Sequence, residues 1–200
     1  MKLRYSSTSP YARKVLVCAA ERGLSETIEI IATVPGNLES GLRAENPLDK
    51  VPALITDDGM ALYDSPVICE YLDSLPGGPA LFPPAGADRW RALRLQALAD
   101  GLLDAALASV MESRRPEGER SAGFVTLQKG KINRALDEMN ADIAALEGAL
   151  HIGIVTVGCA LGYLDLRFAD DDWRKDRPAL DAWFEGFSQR PSMTETAPPA

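Results

Sequence analysis

Lys2-Leu3-Arg4-Tyr5-Ser6-Ser7-Thr8-Ser9-Pro10-Tyr11-Ala12 is the stretch on which the fold turns. Its first four residues read as a short strand, and Ser6 to Ser9 as a polar turn. Pro10 then suits the first position of a helix, where its fixed φ is helical and its missing N–H costs no bond. Ser9 before it is among the best N-cap residues. Further on, Ala12, Val15, Leu16, Ala19 and Ala20 share one helical face, and Gly23 supplies the stop.

Working outward, Thr27 to Ala32 is a second, isoleucine-rich strand, and Val34 to Asn46 reads as a loop with a short helix. Ala53–Thr56 and Met60–Tyr63 flank Asp57-Asp58-Gly59, a hairpin turn signal. Ser65 then opens a helix whose apolar face is Val67, Ile68, Tyr71, Leu72 and Leu75. The order β-α-β, loop, β-β-α fits a small mixed sheet covered by helices. Pro76-Gly77-Gly78-Pro79 and Pro83-Pro84 interrupt every periodic pattern, so the linker belongs there. The expected domains are 1–78 and 85–200.

Beyond the linker the pattern is helical throughout. A long Ala/Leu-rich helix is expected from Ala87 to about Glu112. Ile132, Leu136, Met139, Ile143, Leu146 and Leu150 form the stripe of an antiparallel bundle helix. Two more helices are expected over Thr156–Phe168 and Pro178–Phe187, the first with Thr156 as its cap.

Composition narrows the function. A net charge of −8 works against general nucleic-acid or anionic-membrane binding. No apolar run approaches the ~20 residues a membrane span needs, and the N-terminus shows no basic-then-apolar signal. The expectation is a cytoplasmic protein. Cys18, Cys69 and Cys159 are widely spaced among apolar residues, and His151 is the single histidine. A Cys/His metal site is therefore not expected, and the thiols read as small buried hydrophobes.

Ser9 admits two readings that can hold together. One is a plain N-cap. The other is part of an anion site, because a helix N-terminus carries partial positive charge and stabilises an anion such as a thiolate. Ser7 and Thr8 are close alternatives to Ser9. Asp64-Ser65 sits at a strand-to-helix junction, where N–H groups and a hydroxyl suit a carboxylate, and Ser65 is again a plausible cap. Val51-Pro52 precedes a strand and reads most simply as a trans proline at a strand start.

In this order, Ser9-Pro10-Tyr11-Ala12, Val51-Pro52 and Asp64-Ser65 resemble the cytosolic glutathione transferase superfamily of serine type. The resemblance runs from the first strand to Arg190-Pro191-Ser192. It implies an N-terminal thioredoxin-like βαβ-ββα domain followed by an all-helical bundle domain, an α/β plus all-α architecture. It also implies glutathione as co-substrate and no metal. Ser9 would activate the thiol, and cis Pro52 would expose the Val51 backbone to the cysteinyl part of the peptide. Asp64 would hold the γ-glutamyl ammonium and Ser65 its carboxylate. Lys50 and Asn46 are candidates for the glycyl carboxylate, against the simpler reading of solvated surface groups. Asp100, on the first bundle helix, would approach the γ-glutamyl ammonium of a partner subunit in a homodimer. Pro10 and Tyr11 resemble the middle of the C-P-Y-C sequence of redox relatives, but neither flanking cysteine is present. Disulfide exchange at this turn is disfavoured.

The implied activity is attack of the glutathione thiolate on a small electrophile or a peroxide, as in detoxification. A glutathione-binding or regulatory module with little turnover is the alternative, and a ligand-free interaction domain a more distant one. One departure from the family concerns the S/T-x-x-D capping arrangement that usually starts the buried bundle helix. The stretch read as its counterpart, Thr156-Val157-Gly158-Cys159, lacks the acid.

Overall fold

A computed structural model describes residues 1–199. They divide into two compact units, Met1–Pro84 with the segment from Pro191 onward, and Ala85–Arg190.

The first unit holds β1 (Lys2–Tyr5), α1 (Pro10–Glu21), β2 (Glu29–Ala32), α2 (Leu42–Glu45), β3 (Ala53–Ile55), β4 (Ala61–Leu62) and α3 (Ser65–Ser74). The sheet order is β2-β1-β3-β4. β1 runs parallel to β2 from Lys2↔Glu29 to Tyr5↔Ala32. It pairs antiparallel with β3 from Lys2↔Ile55 to Arg4↔Ala53, and β3 pairs antiparallel with β4 through Leu54↔Leu62. The last residues of β1 and β4 and the first of β3 therefore share one edge of the sheet. Leu3, Leu54, Val15, Cys18, Ile68 and Leu72 fill the core between sheet and helices.

Arg22, the C-cap of α1, is a structural element the sequence did not announce. Its guanidinium donates to the Gly78, Asp73 and Leu75 carbonyls and lies 3.4 Å from Asp73 Oδ1. Asp73 in turn accepts the Leu81 and Phe82 N–H groups at 2.7 and 3.1 Å. This buried pair holds the Pro/Gly segment against α1 and α3. A Cβ at Gly77 would sit 2.5 Å from the Arg22 carbonyl, so glycine is required there.

The second unit contains α4 (Gly86–Ser113), α5 (Ala122–Ala141), α6 (Ile152–Arg167) and α7 (Pro178–Phe187). The continuous stripe expected from Ile132 to Leu150 is broken at Asp142, whose φ −110 and ψ 51 leave the helix; a 3-10 turn, Ile143–Leu146, follows. α6 starts earlier than expected, at Ile152, with His151 as N-cap. Thr156 is consequently no cap but an interior residue, fully buried, its hydroxyl donating to the Ile152 carbonyl at 2.7 Å. The cap and N3 positions are His151 and Ile154, so neither half of a capping box is present. A Cβ on Gly153 would approach the Ala92 carbonyl to 2.6 Å, which shows how closely α6 lies on α4. Among the described residues no helix is long and apolar enough to cross a membrane.

α8 (Pro191–Thr194) packs back on α1 in the first unit. Arg13 donates to the Met193 carbonyl at 2.9 Å, and Ser192 donates to Glu21. The expectation that everything from residue 85 belongs to the helical domain thus gives way at Pro191.

Candidate active site

The sheet register gathers the nominated residues of the first unit. Arg4↔Ala53 sends the chain before β3 past the turn that follows β1, and Leu54↔Leu62 returns Tyr63 and Asp64 toward Pro52. The N-termini of α1 and α3 both arise at this edge. Their partial positive charges favour an anion there.

Ser9 is the N-cap of α1, with φ −82 and ψ 116, and its Oγ accepts the Ala12 N–H at 3.2 Å. That bond uses a lone pair only, so the hydroxyl proton is left to be donated outward. Cap and thiolate donor are compatible roles for one oxygen. Ser7 is exposed and Thr8 half-buried in the same turn. At the end of β1, burial raises the Tyr5 phenol, partly offset by the Arg13 guanidinium, and keeps it neutral.

Val51-Pro52 is a cis peptide, as the resemblance implies. Neither the N–H nor the C=O of Val51 has a hydrogen-bond partner among the described residues. Pro52 is buried beneath it.

Asp64, not Ser65, is the N-cap of α3, and its side chain makes no capping bond. Ser65 is the first helical residue and only 1 % exposed. The Ser65 N–H and Oγ and the Val67 N–H lack partners among the described residues, and Pro66 has no N–H to offer. This helix start is thus open where that of α1 is closed by its own serine. Val67 was read from sequence only as part of the apolar face, yet its side chain is exposed. Ser65-Pro66 signals its backbone, for with proline second the third residue carries the next free donor. The Asp64 carboxylate is exposed and forms no ion pair among the described residues, and the Tyr63-Asp64 peptide is also cis.

Lys50 is exposed, and its ammonium forms no ion pair among the described residues. Asn46 is not the solvated surface group of the simpler reading. It is 2 % exposed, and both ends of its amide are engaged within the loop, donating to the Lys50 carbonyl at 2.8 Å and accepting the Leu48 N–H at 3.0 Å. Asp100 stands on α4 of the second unit and is half-buried.

All three cysteines are free and buried. The Cys18 thiol is held well above its ordinary range by its hydrogen bond with Cys69 and by burial. It is a poor nucleophile for that reason. Among the described residues no three His, Cys, Asp or Glu side chains group to hold a metal ion.

Comparison with known proteins gives the family in which this arrangement occurs. Residues 8–75 match the glutathione S-transferase N-terminal domain family. The uncharacterized GST-like protein YibF of Escherichia coli (strain K12) is 37% identical over 202 residues, covering 100% of this chain and 99% of that one. The chain belongs to the glutathione transferase superfamily. A family member from Pseudomonas fluorescens Pf-5, solved with bound glutathione, is 42% identical with a TM-score of 0.96, covering 100% of this chain and 99% of that chain. A glutathione S-transferase from Methylobacillus flagellatus KT, solved with glutathione bound, is 40% identical with a TM-score of 0.94, covering 99% of each chain. The four-stranded mixed sheet with its helices is the thioredoxin-like domain of this family, and the second unit corresponds to its helical domain.

Proposed function

We propose that the protein binds glutathione at the sheet edge of its first unit and activates the thiol for attack on an electrophile. One observation carries this reading: the polar groups gathered there and left unpaired by the protein match the peptide group for group. The open α3 terminus, with the Ser65 N–H and Oγ and the Val67 N–H, suits the γ-glutamyl carboxylate. Asp64 suits the adjacent ammonium. The unpaired Val51 N–H and C=O suit strand-like pairing with the cysteinyl residue, and Lys50 suits the glycyl carboxylate. The bound thiol then faces Ser9 at the α1 terminus.

A free thiol of pKa about 8.5 is only a few per cent ionised at neutral pH. The Ser9 hydroxyl, donating to sulfur while accepting from Ala12, stabilises the thiolate together with the helix terminus. The thiolate lone pair forms the new bond to the electrophilic atom, and the leaving group departs with the electrons of the bond it breaks. With a hydroperoxide, the sulfur attacks the terminal oxygen; an S–O bond forms as the O–O bond breaks, the sulfur is oxidised to a sulfenic acid, and the alkoxide takes a proton from water to leave as the alcohol.

The 42% identical neighbour with bound glutathione supports the first half of this reading. The alternative, glutathione binding with little turnover, uses the same contacts without productive donation from Ser9, whose oxygen also caps the helix. Retention on immobilised glutathione tests binding, and a thiol-conjugation assay on the eluted protein separates the two. Failure to be retained would refute both. A cytoplasmic homodimer in which Asp100 approaches the partner's γ-glutamyl ammonium completes the proposal, on the strength of the family resemblance.

A further inference from the structure

We propose that Asn46 is a positioning residue that aims the Val51 N–H at the ligand, an inference that rests on the glutathione reading above. Among the described residues the cis peptides are at Val51-Pro52 and Tyr63-Asp64, so the Lys50–Val51 peptide is trans. In a planar trans peptide the C=O and the N–H point in opposite directions. Whatever fixes the Lys50 carbonyl therefore fixes the Val51 N–H.

The Asn46 side chain does so. Its Nδ2 donates to the Lys50 carbonyl at 2.8 Å and turns that oxygen into the loop. The Val51 N–H is thereby turned out of the loop, where no protein acceptor meets it. Asn46 is itself held at two further points: Oδ1 accepts the Leu48 N–H at 3.0 Å, and its backbone carbonyl accepts the Asp49 N–H at 2.9 Å. Asp49 closes the turn at φ 54, a left-handed conformation that Asp and Asn tolerate, and Arg43 anchors it at 2.9 Å. Moving Asn46 toward a ligand would break two buried hydrogen bonds and leave their partners unsatisfied. The position needs a donor and an acceptor on one short side chain, which asparagine supplies and aspartate does not.

The test is Asn46→Asp, which is isosteric and keeps the acceptor for Leu48. It removes the donor and sets a carboxylate oxygen against the Lys50 carbonyl. Calorimetric titration with S-methylglutathione should give a Kd raised about tenfold or more. In ¹⁵N-labelled wild type the Val51 amide signal should shift on adding glutathione, together with Ser65 and Val67. In N46D at saturating ligand Ser65 and Val67 should still respond while Val51 does not. A folded N46D protein with wild-type Kd, even one with a lowered Tm, would overturn the inference and leave the glutathione site standing. So would a wild-type Val51 amide that ignores glutathione while Ser65 responds, a result that does not depend on the variant folding. A wild-type chain that binds no glutathione would overturn the functional reading and this inference with it.

Discussion

Ser9 and Ser65 are both serines at helix starts, yet their surroundings give them opposite starting states. Ser9 closes its own helix through Ala12, whereas Ser65 leaves its N–H and hydroxyl unpaired at 1 % exposure. Ser65→Ala should therefore weaken glutathione binding by about tenfold, roughly 1.4 kcal/mol, with little change in Tm because no protein bond is lost. Calorimetric titration checks this, and equal affinities would remove the residue from the site. Ser9→Ala should do two things. Loss of the cap should lower stability by about 1 kcal/mol. Loss of the donor should raise the pKa of the bound thiol by about one to two units and cut kcat/KM about ten- to a hundredfold at neutral pH. That second loss should shrink at high pH, where bound glutathione ionises unaided. The ultraviolet thiolate absorbance of the complex against pH separates the two effects, since a helix cap alone leaves the profile in place.

Among the elements, α6 is the one that departs most from what its sequence suggests. Local rules put a threonine cap at Thr156, but burial wins: the helix continues back through Gly153, where only glycine fits against the Ala92 carbonyl, to His151. Periodicity could not reveal this, because the segment is apolar on all sides and has no polar face to mark a boundary. The same blindness joined α5 to the turn after Asp142, where the apolar spacing persists although the backbone leaves the helix. The first unit was more legible, since proline, glycine and serine mark its turns and set Ser9, Val51 and Ser65 at strand ends. The burial of Asn46 was not legible, because a polar residue in a loop carries no sequence sign of it. At α6 the cap residue is also a titrating one. Burial lowers the His151 imidazole below its ordinary value, and its Nδ1 is buried without a partner among the described residues. The unfolded chain thus binds the proton more readily than the folded one. Stability is complete above the unfolded value of about 6.5 and falls as pH drops through it toward the lowered folded value. As the single histidine, His151 should account for the difference in this window. His151→Asn, which supplies a cap, should add about 1 kcal/mol at pH 7.5 and flatten the decline in urea midpoint between pH 7.5 and 5.5. Parallel curves for the two proteins would show that the imidazole is not the sensitive group.

At the scale of the whole molecule, a charge of −8 on a chain of 21.6 kDa opposes indiscriminate association, so any self-assembly requires a specific surface. α4 offers one. Ala97, Gly101 and Asp104 are exposed along one side of it, Gly101 has open space where a Cβ would stand, and Trp90 is 69 % exposed one turn and more before them. Ala97 and Gly101 let a second backbone approach closely at this point of the helix, and a closed two-fold pair buries the same patch on both copies. We expect light scattering to give about twice the chain mass at micromolar concentration. Gly101→Arg is the discriminating variant. The open space at this position tolerates a side chain within one subunit, while a two-fold contact through α4 brings two guanidinium groups together where neither fits. The variant should run at the single-chain mass, with unchanged far-ultraviolet circular dichroism. Glutathione affinity then reports on Asp100: if its carboxylate reaches the partner's γ-glutamyl ammonium, the monomer binds more weakly by a few-fold, about the worth of one partly exposed ion pair. A wild-type protein that already scatters as a single chain would remove the dimer, and with it any part for Asp100 in the site.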